Sequence, residues 1–190
     1  MKGRLIYVIG PSGAGKDSVL GGLRAHWPAT PTTHWARRTI SRPLSAHGEQ
    51  HEPVDEHTFD QLLERRAFAL HWQANGLRYG LRHEELQPIQ SGHWVFVNGS
   101  RGHLPELLGL WPQATVVHIG ASTHVLEERL LARGRETPEA IVQRLRRAVH
   151  TDLPPNTISI RNDGVLQEAV SELLTRLLDC IAGSDQPTEI

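Results

Sequence analysis

The chain has 190 residues, a formal net charge of −1 and 38% hydrophobic residues. That length and composition suit one globular domain with its own core, and the balanced charge excludes the broad field expected of a nucleic-acid or anionic-membrane binder. The single cysteine, Cys180, excludes an internal disulfide and suits a reducing compartment, so a cytoplasmic protein is expected, and no segment approaches the length of a membrane span.

The first element is a strand over Arg4–Ile9, an apolar run that ends at a glycine. Next come Gly10, Pro11, Ser12, Gly13, Ala14, Gly15, Lys16, Asp17 and Ser18, and with them a helical pattern from about Gly15 to His26, stopped before Pro28. Strand, glycine turn and helix is the context that a phosphate-binding P-loop requires. The glycines let successive N–H groups turn toward an anion, the helix start adds its positive dipole end, and Lys16 supplies a mobile charge for the outer phosphates. A nucleoside triphosphate is the expected ligand. One residue departs from the pattern: Asp17 stands where a Ser or Thr hydroxyl should bind Mg²⁺. A carboxylate is a stronger hard-oxygen ligand than a hydroxyl, so Asp17 is expected to hold the metal, directly or through water. The alternative is an acid that merely favours a helix N-terminus.

Further along, Trp35–Ile40 reads as one short strand and Ser41–Val54 as a polar loop. A short helix follows through Arg66, capped by Thr58 or Asp55. Ala67–Trp72 and Leu77–Gly80 read as a hairpin turned at Asn75-Gly76, and Glu84–Ser91 as another short helix. Trp94–Val97 and Thr115–Ile119 have the continuous apolar character of central parallel strands, with a crossover helix over Leu104–Leu110 between them. Ser122-Thr123 caps a helix that continues through Arg133 and breaks at Gly134, and Thr137-Pro138 starts another. Ile158–Ile160 is the last strand, Val165–Ile181 a long amphipathic helix, and a disordered tail is expected from Gly183. Strands alternating with helices behind a P-loop give an α/β fold with a parallel sheet covered on both faces. A single domain is expected, with core segments 1–33, 92–124 and 151–182, an inserted lobe over 34–91, an arginine-bearing lid over 125–150 and the tail 183–190.

The histidines are numerous. His47, His51 and His57 lie among Glu49, Glu52, Asp55 and Glu56, but their spacing fits no zinc pattern, so a polar, substrate-facing loop is expected there. Arginines gather in two places. Arg129, Arg133 and Arg135 sit at one helix end and Arg144, Arg146 and Arg147 on the next, where they could form a lid over a triphosphate or pair with Glu127, Glu128 and Glu136 on a plain surface. Arg37, Arg38 and Arg42 lie in the insert and could grip an anionic acceptor.

Several motifs, in order, carry a resemblance over nearly the whole chain: the P-loop, Thr39-Ile40-Ser41-Arg42-Pro43, Gly48-Glu49, His71-Trp72, Arg78-Tyr79-Gly80, Arg129 to Gly134, and Arg144-Leu145 with Ala148. Together they resemble the guanylate kinase family. The resemblance implies an ATP-binding core, Mg²⁺, an acceptor lobe and a lid. It implies that Arg42 and Tyr79 hold the acceptor, that Arg133 and Arg144 contact the triphosphate beside Lys16, and that Asn162-Asp163 lies near the adenine.

Departures bear on the substrate. The second acceptor-phosphate arginine of that family falls near Ser45, its tyrosine near His51, its guanine-reading glutamate at His71, a hydroxyl at Leu81 and an aspartate at Asn98. A guanine site stripped of its acceptors is a poor one, because each unpaired polar edge is costly. One branch, the ribose 1,5-bisphosphate phosphokinases of phosphonate breakdown, is similar at Gly15-Lys16-Asp17, at Arg38 to Pro43 and at His71 to Gly80. This likeness implies phosphoryl transfer from ATP to a sugar bisphosphate, giving 5-phosphoribosyl 1-diphosphate, with Arg37, Arg38, Arg42, His51, His71, Arg78 and Tyr79 lining the acceptor site. A guanylate or other nucleoside monophosphate kinase is the alternative, and a non-catalytic scaffold module a remote one. The expected partner is a small molecule, with no nucleic acid and no membrane; a homodimer is left open.

Overall fold

A computed structural model describes residues 2–42, 51–134, 141, 145 and 152–184; the side chains of 133 and 181–184 lie outside the description. Two compact units emerge along the chain, residues 1–9 with 28–116 and residues 10–27 with 117–190.

The first unit holds two sheets. Strand β1 (Arg4–Ile9) is buried from Leu5 onward, as its unbroken apolar run requires. In this unit it lies parallel to β7 (Trp94–Asn98), with Leu5 opposite Val95 and Tyr7 opposite Val97. β7 also takes β2 (Thr33–Trp35) in parallel, so β7 lies between β2 and β1. The second sheet has the order β4-β3-β6-β5, from β3 (Arg38–Ile40), β4 (Glu52–Pro53), β5 (Phe68–Ala74) and β6 (Leu77–Arg82). Helix α2 (Glu56–Glu64) follows β4 and α3 (Leu104–Leu110) follows β7.

The single strand expected over Trp35–Ile40 is two strands in two sheets, and the reason is local. The Ala36 amide still donates to the Phe96 carbonyl at 2.9 Å, but the exposed Arg37 donates its amide to the Glu85 carboxylate instead. The ladder therefore ends, and the chain enters the second sheet at Arg38. The hairpin is as expected: Ala74 pairs with Leu77, and Asn75 and Gly76 take φ of 53° and 74°, the primed turn that matches strand twist. Asp55 caps α2 by accepting from the Thr58 amide at 2.7 Å. The short helix expected over Glu84–Ser91 is instead two 3₁₀ segments, His83–Glu85 and Gln87–Ser91, with Pro88 early in the second.

In the second unit, the P-loop opens α1 (Lys16–His26). β8 (Thr115–Gly120) pairs in parallel with β9 (Ile158–Arg161), Ile119 opposite Ile160. Ser122 caps α4 (Thr123–Arg133), and Gly134 closes it in the left-handed conformation at φ 60°. α5 (Leu166–Ser184) packs on α1 and β9, burying Ala169, Val170, Leu173 and Leu177. It runs to Ser184, past the expected start of the tail; residues 185–190 lie outside the described residues. So do 43–50, 135–140, 142–144 and 146–151, and with them His47, Arg135, Arg144, Arg146 and Arg147.

Candidate active site

The phosphate cradle belongs to the second unit. Gly13 and Gly15 take φ of 89° and 81°, so the loop coils and delivers the chain into α1. Gly15 is the helix N-cap, and a side chain there would be strained twice: by the backbone, and by the Asn162 Nδ2 atom, 2.5 Å from where a Cβ would stand. Asn162 is buried and donates to the Ala14 carbonyl at 2.8 Å, so it braces the loop from behind. Its neighbour Asp163 accepts from the Ser122 amide and pairs with Arg161, and these contacts hold its carboxyl below the usual range. Both residues of the expected adenine-side pair thus tie loops together in this unit.

Lys16 folds its ammonium back over the loop, donating to the Gly10 and Pro11 carbonyls at 2.9 and 3.1 Å. Arg129 reaches the same loop from α4, its Nη1 3.4 Å from the Gly13 carbonyl. Two cations over a coil of glycines at the start of an eleven-residue helix fit a polyphosphate. Asp17 and Ser18 are exposed in the first turn. No group of three or more His, Cys, Asp or Glu gathers among the described residues. The Asp17 carboxylate offers hard oxygen atoms of the kind Mg²⁺ takes.

The acceptor residues named from sequence lie in the first unit: Arg38 on β3, with Arg37 just before it and Arg42 just beyond it, His51 directly before β4, His71 on β5, and Arg78 and Tyr79 on β6. Arg38 is buried, its guanidinium 5.1 Å from the Tyr79 ring centroid. Arg42 lies beside the buried His51, Nη2 to Nδ1 3.5 Å; the guanidinium can only donate, so Nδ1 is the acceptor. The Arg42 Nε is buried and has no hydrogen-bond partner among the described residues. Arg78 is already engaged: it pairs with Glu56 and Asp60 at 3.1 and 2.7 Å and lies over the Phe59 ring. It fastens α2 to β6. Arg37 is exposed at the junction before β3, and His71 is exposed on β5, where burial alternates and Leu70 and Trp72 face inward.

Other residues matter that the sequence did not single out. Glu52 on β4 accepts from the Thr39 hydroxyl at 2.7 Å and from the Arg82 guanidinium at 2.9 and 2.6 Å. Partial burial opposes its charge, but these bonds prevail and its carboxyl titrates below the usual range. It fastens β3, β4 and β6 in one clasp. The Tyr7 hydroxyl lies 3.1 Å from the His103 Nδ1 and accepts from the Ser100 amide. Burial raises the phenol to about 12 and holds the imidazole below its ordinary value. Tyr7 passes so close to Gly99 that a Cβ there would stand 2.1 Å from the ring. The sequence offered little signal for these: Tyr7 sits in an apolar run, and His103 is one of twelve histidines.

A phosphate-binding loop on an α/β core, in a chain whose second sheet buries Arg38, defines a phosphotransferase of the P-loop class. The chain belongs to the guanylate kinase family, whose model matches residues 2–179. It is 42% identical over 182 residues to a ribose 1,5-bisphosphate phosphokinase PhnN of Thiobacillus denitrificans, an alignment covering 95% of this chain and 96% of that protein. Against the protein of the same name from Burkholderia pseudomallei it is 43% identical, over 95% and 98%. A guanylate kinase structure from Anaplasma phagocytophilum shares the fold, with a TM-score of 0.64 at 14% identity, covering 98% of this chain and 88% of that one. No helix among the described residues is long and apolar enough to cross a membrane.

Proposed function

We propose that this chain is a ribose 1,5-bisphosphate phosphokinase. The observation that carries this reading is identity near 40% with proteins of that name over almost the full length of both chains. In the reaction, an oxygen of the acceptor's anomeric phosphate attacks the γ-phosphorus of ATP. The bond from that phosphorus to the β,γ-bridging oxygen breaks, ADP leaves, and 5-phosphoribosyl 1-diphosphate forms. The nucleophile is already an anion, so no strong general base is required. Catalysis then rests on placing and neutralising phosphate oxygens.

This chain's residues suit that task. The Gly10–Lys16 coil and the first turn of α1 hold the triphosphate by backbone N–H groups, with Lys16 as point charge and Arg129 beside it. Arg133 and Arg144 are the lid arginines of this reading. Mg²⁺, when bound near Asp17, spreads phosphate charge. Arg38, Arg42, His51 and Tyr79 take the sugar bisphosphate, with Arg37 and His71 further out; the buried Nε of Arg42 is a donor suited to a phosphate oxygen. Arg78 serves this site through the shape of the lobe, since Glu56 and Asp60 occupy its guanidinium.

The test is an acceptor screen with excess Mg²⁺, following ADP release and 5-phosphoribosyl 1-diphosphate by phosphorus NMR. Ribose 1,5-bisphosphate is the expected acceptor. Turnover of GMP with none of the sugar bisphosphate overturns the reading in favour of a nucleoside monophosphate kinase.

A further inference from the structure

A cleft of about 540 Å³ lies in the first unit, where β1 begins and α3 ends. That volume falls in the range of small-molecule sites, about 300–1,000 Å³. Lys2 and Arg4 line it from the start of the strand, Ile89 from the second 3₁₀ segment, and Leu110 and Trp111 from the end of α3. None of its lining residues is acidic. The P-loop follows the other end of β1. At about 3.3 Å per residue, the ends of this six-residue strand stand about 17 Å apart.

The two cations are seated rather than frayed. Gly3 runs so close to Ile89 that a Cβ there would stand 1.9 Å from the Ile89 carbonyl oxygen, and the Arg4 amide donates to the His93 carbonyl at 3.1 Å. The Arg4 guanidinium lies 5.1 Å from the Trp94 ring centroid. Neither Lys2 nor Arg4 forms an ion pair among the described residues. The carbonyl end of α3 attracts positive charge, but a helix end carries only about half an elementary charge, less than one cation balances. Trp111 is fixed on both sides, its amide donating to the Leu107 carbonyl at 2.7 Å and its carbonyl accepting from the Ala114 amide at 3.0 Å. Leu110 is 60% exposed. One exposed leucine is ordinary. Leucine, isoleucine and tryptophan around the same cleft as two cations and no acid match an anion that carries an apolar body.

We propose that this cleft is a second binding site, for a small organic anion whose acidic head lies toward Lys2 and Arg4 and whose apolar body lies on Ile89, Leu110 and Trp111. The site stands independently of the activity proposed above.

The probe is 8-anilinonaphthalene-1-sulfonate, with N-phenyl-1-naphthylamine as the same body without the acid. Both are titrated by fluorescence into the full chain with Mg²⁺ and a saturating non-hydrolysable ATP analogue, which keeps them out of the cradle. The wild type should take one sulfonate per chain, at least about tenfold tighter than the neutral probe, the size of a charge-assisted contact. Lys2→Gln with Arg4→Gln should erase that preference. Leu110→Glu, at an exposed position, should weaken the sulfonate about tenfold, and carries the test if loss of the Arg4 contact with Trp94 unfolds the double variant. Thermal melts establish that each variant is folded. Phenyl phosphate and benzoate are then used to displace the probe; displacement by either supports the site, and the stronger one identifies the head group it takes. Absence of saturable binding, no preference for the acid, a preference that survives in the folded double variant, unchanged affinity in folded Leu110→Glu, or displacement by neither anion overturns the proposal.

Discussion

In the proposed function, the phosphate cradle and the acceptor lobe grip anions by opposite means. The cradle is made mostly of backbone. In that reading its affinity for phosphate lies in the φ angles at Gly13 and Gly15 and in the N–H groups at the start of α1, which point along the helix axis toward an anion. Side chains add two cations, Lys16 and Arg129, and one brace, Asn162. The lobe is made mostly of side chains, held by one another. Glu52 binds Arg82 and Thr39, Arg78 binds Glu56 and Asp60, and Arg38 lies on Tyr79. A backbone site recognises the anion common to all nucleotides. A side-chain site can be re-cut for a new acceptor without disturbing the fold.

That contrast can be broken at its strongest point first. Lys16→Ala should lower kcat by about a thousandfold while the protein stays folded, because the lost charge acts on developing phosphate charge. Steady-state kinetics with a thermal melt checks both halves. Gly15→Ala should cost about 2 kcal/mol of stability and weaken ATP binding together, since backbone strain and the Asn162 clash act on one loop. Urea unfolding and nucleotide titration measure this. If ATP binding survives unchanged, the cradle does not depend on its backbone as described.

On the lobe side, effects should be smaller and should leave ATP alone. Glu52→Gln removes the charge from the clasp of β3, β4 and β6. It should cost about 1 kcal/mol, discounted for the partial exposure of the pair, and raise the acceptor KM with little change in the ATP KM. Smallest is the pH effect. The buried His103 resists a proton that the unfolded imidazole accepts near 6.5, so the unfolded state binds more protons below that value. Stability should therefore decline as the pH falls through 6.5, in a step that His103→Asn flattens. Glu52 and Asp163, whose carboxyls titrate low in the folded state, add a separate loss at more acid pH, below their ordinary values of 4.5 and 3.8. Urea melts between about pH 7.5 and about pH 5 separate the imidazole step from the carboxylates.

The same contrast explains what could be read from the chain. The cradle was legible because glycine, lysine and flanking periodicity all bear on a local structure. β1, α1, α3 and the Asn75-Gly76 turn match their expected places within a residue or two, for the same local reason. In the lobe, arginines could be counted but not sorted. That the Arg78 guanidinium is taken up depends on Glu56 and Asp60, residues distant in sequence whose arrangement only the tertiary fold sets. The break between β2 and β3 was missed for that reason too, since a side chain 48 residues on ends the ladder. His103 was invisible because its importance comes entirely from the Trp72 ring it stacks on and the Tyr7 hydroxyl it meets.

That break has one more consequence. Only Ala36 and Arg37 separate the strand that lies on β7 from the strand that begins the second sheet, and Glu85 accepts from both the Arg37 amide and the His34 ring, at 2.9 and 2.7 Å. Such a short, pinned crossing acts as a bracket rather than a tether. Transplanting this lobe into a related scaffold would require moving Glu85 with it, or the graft would arrive pointing the wrong way.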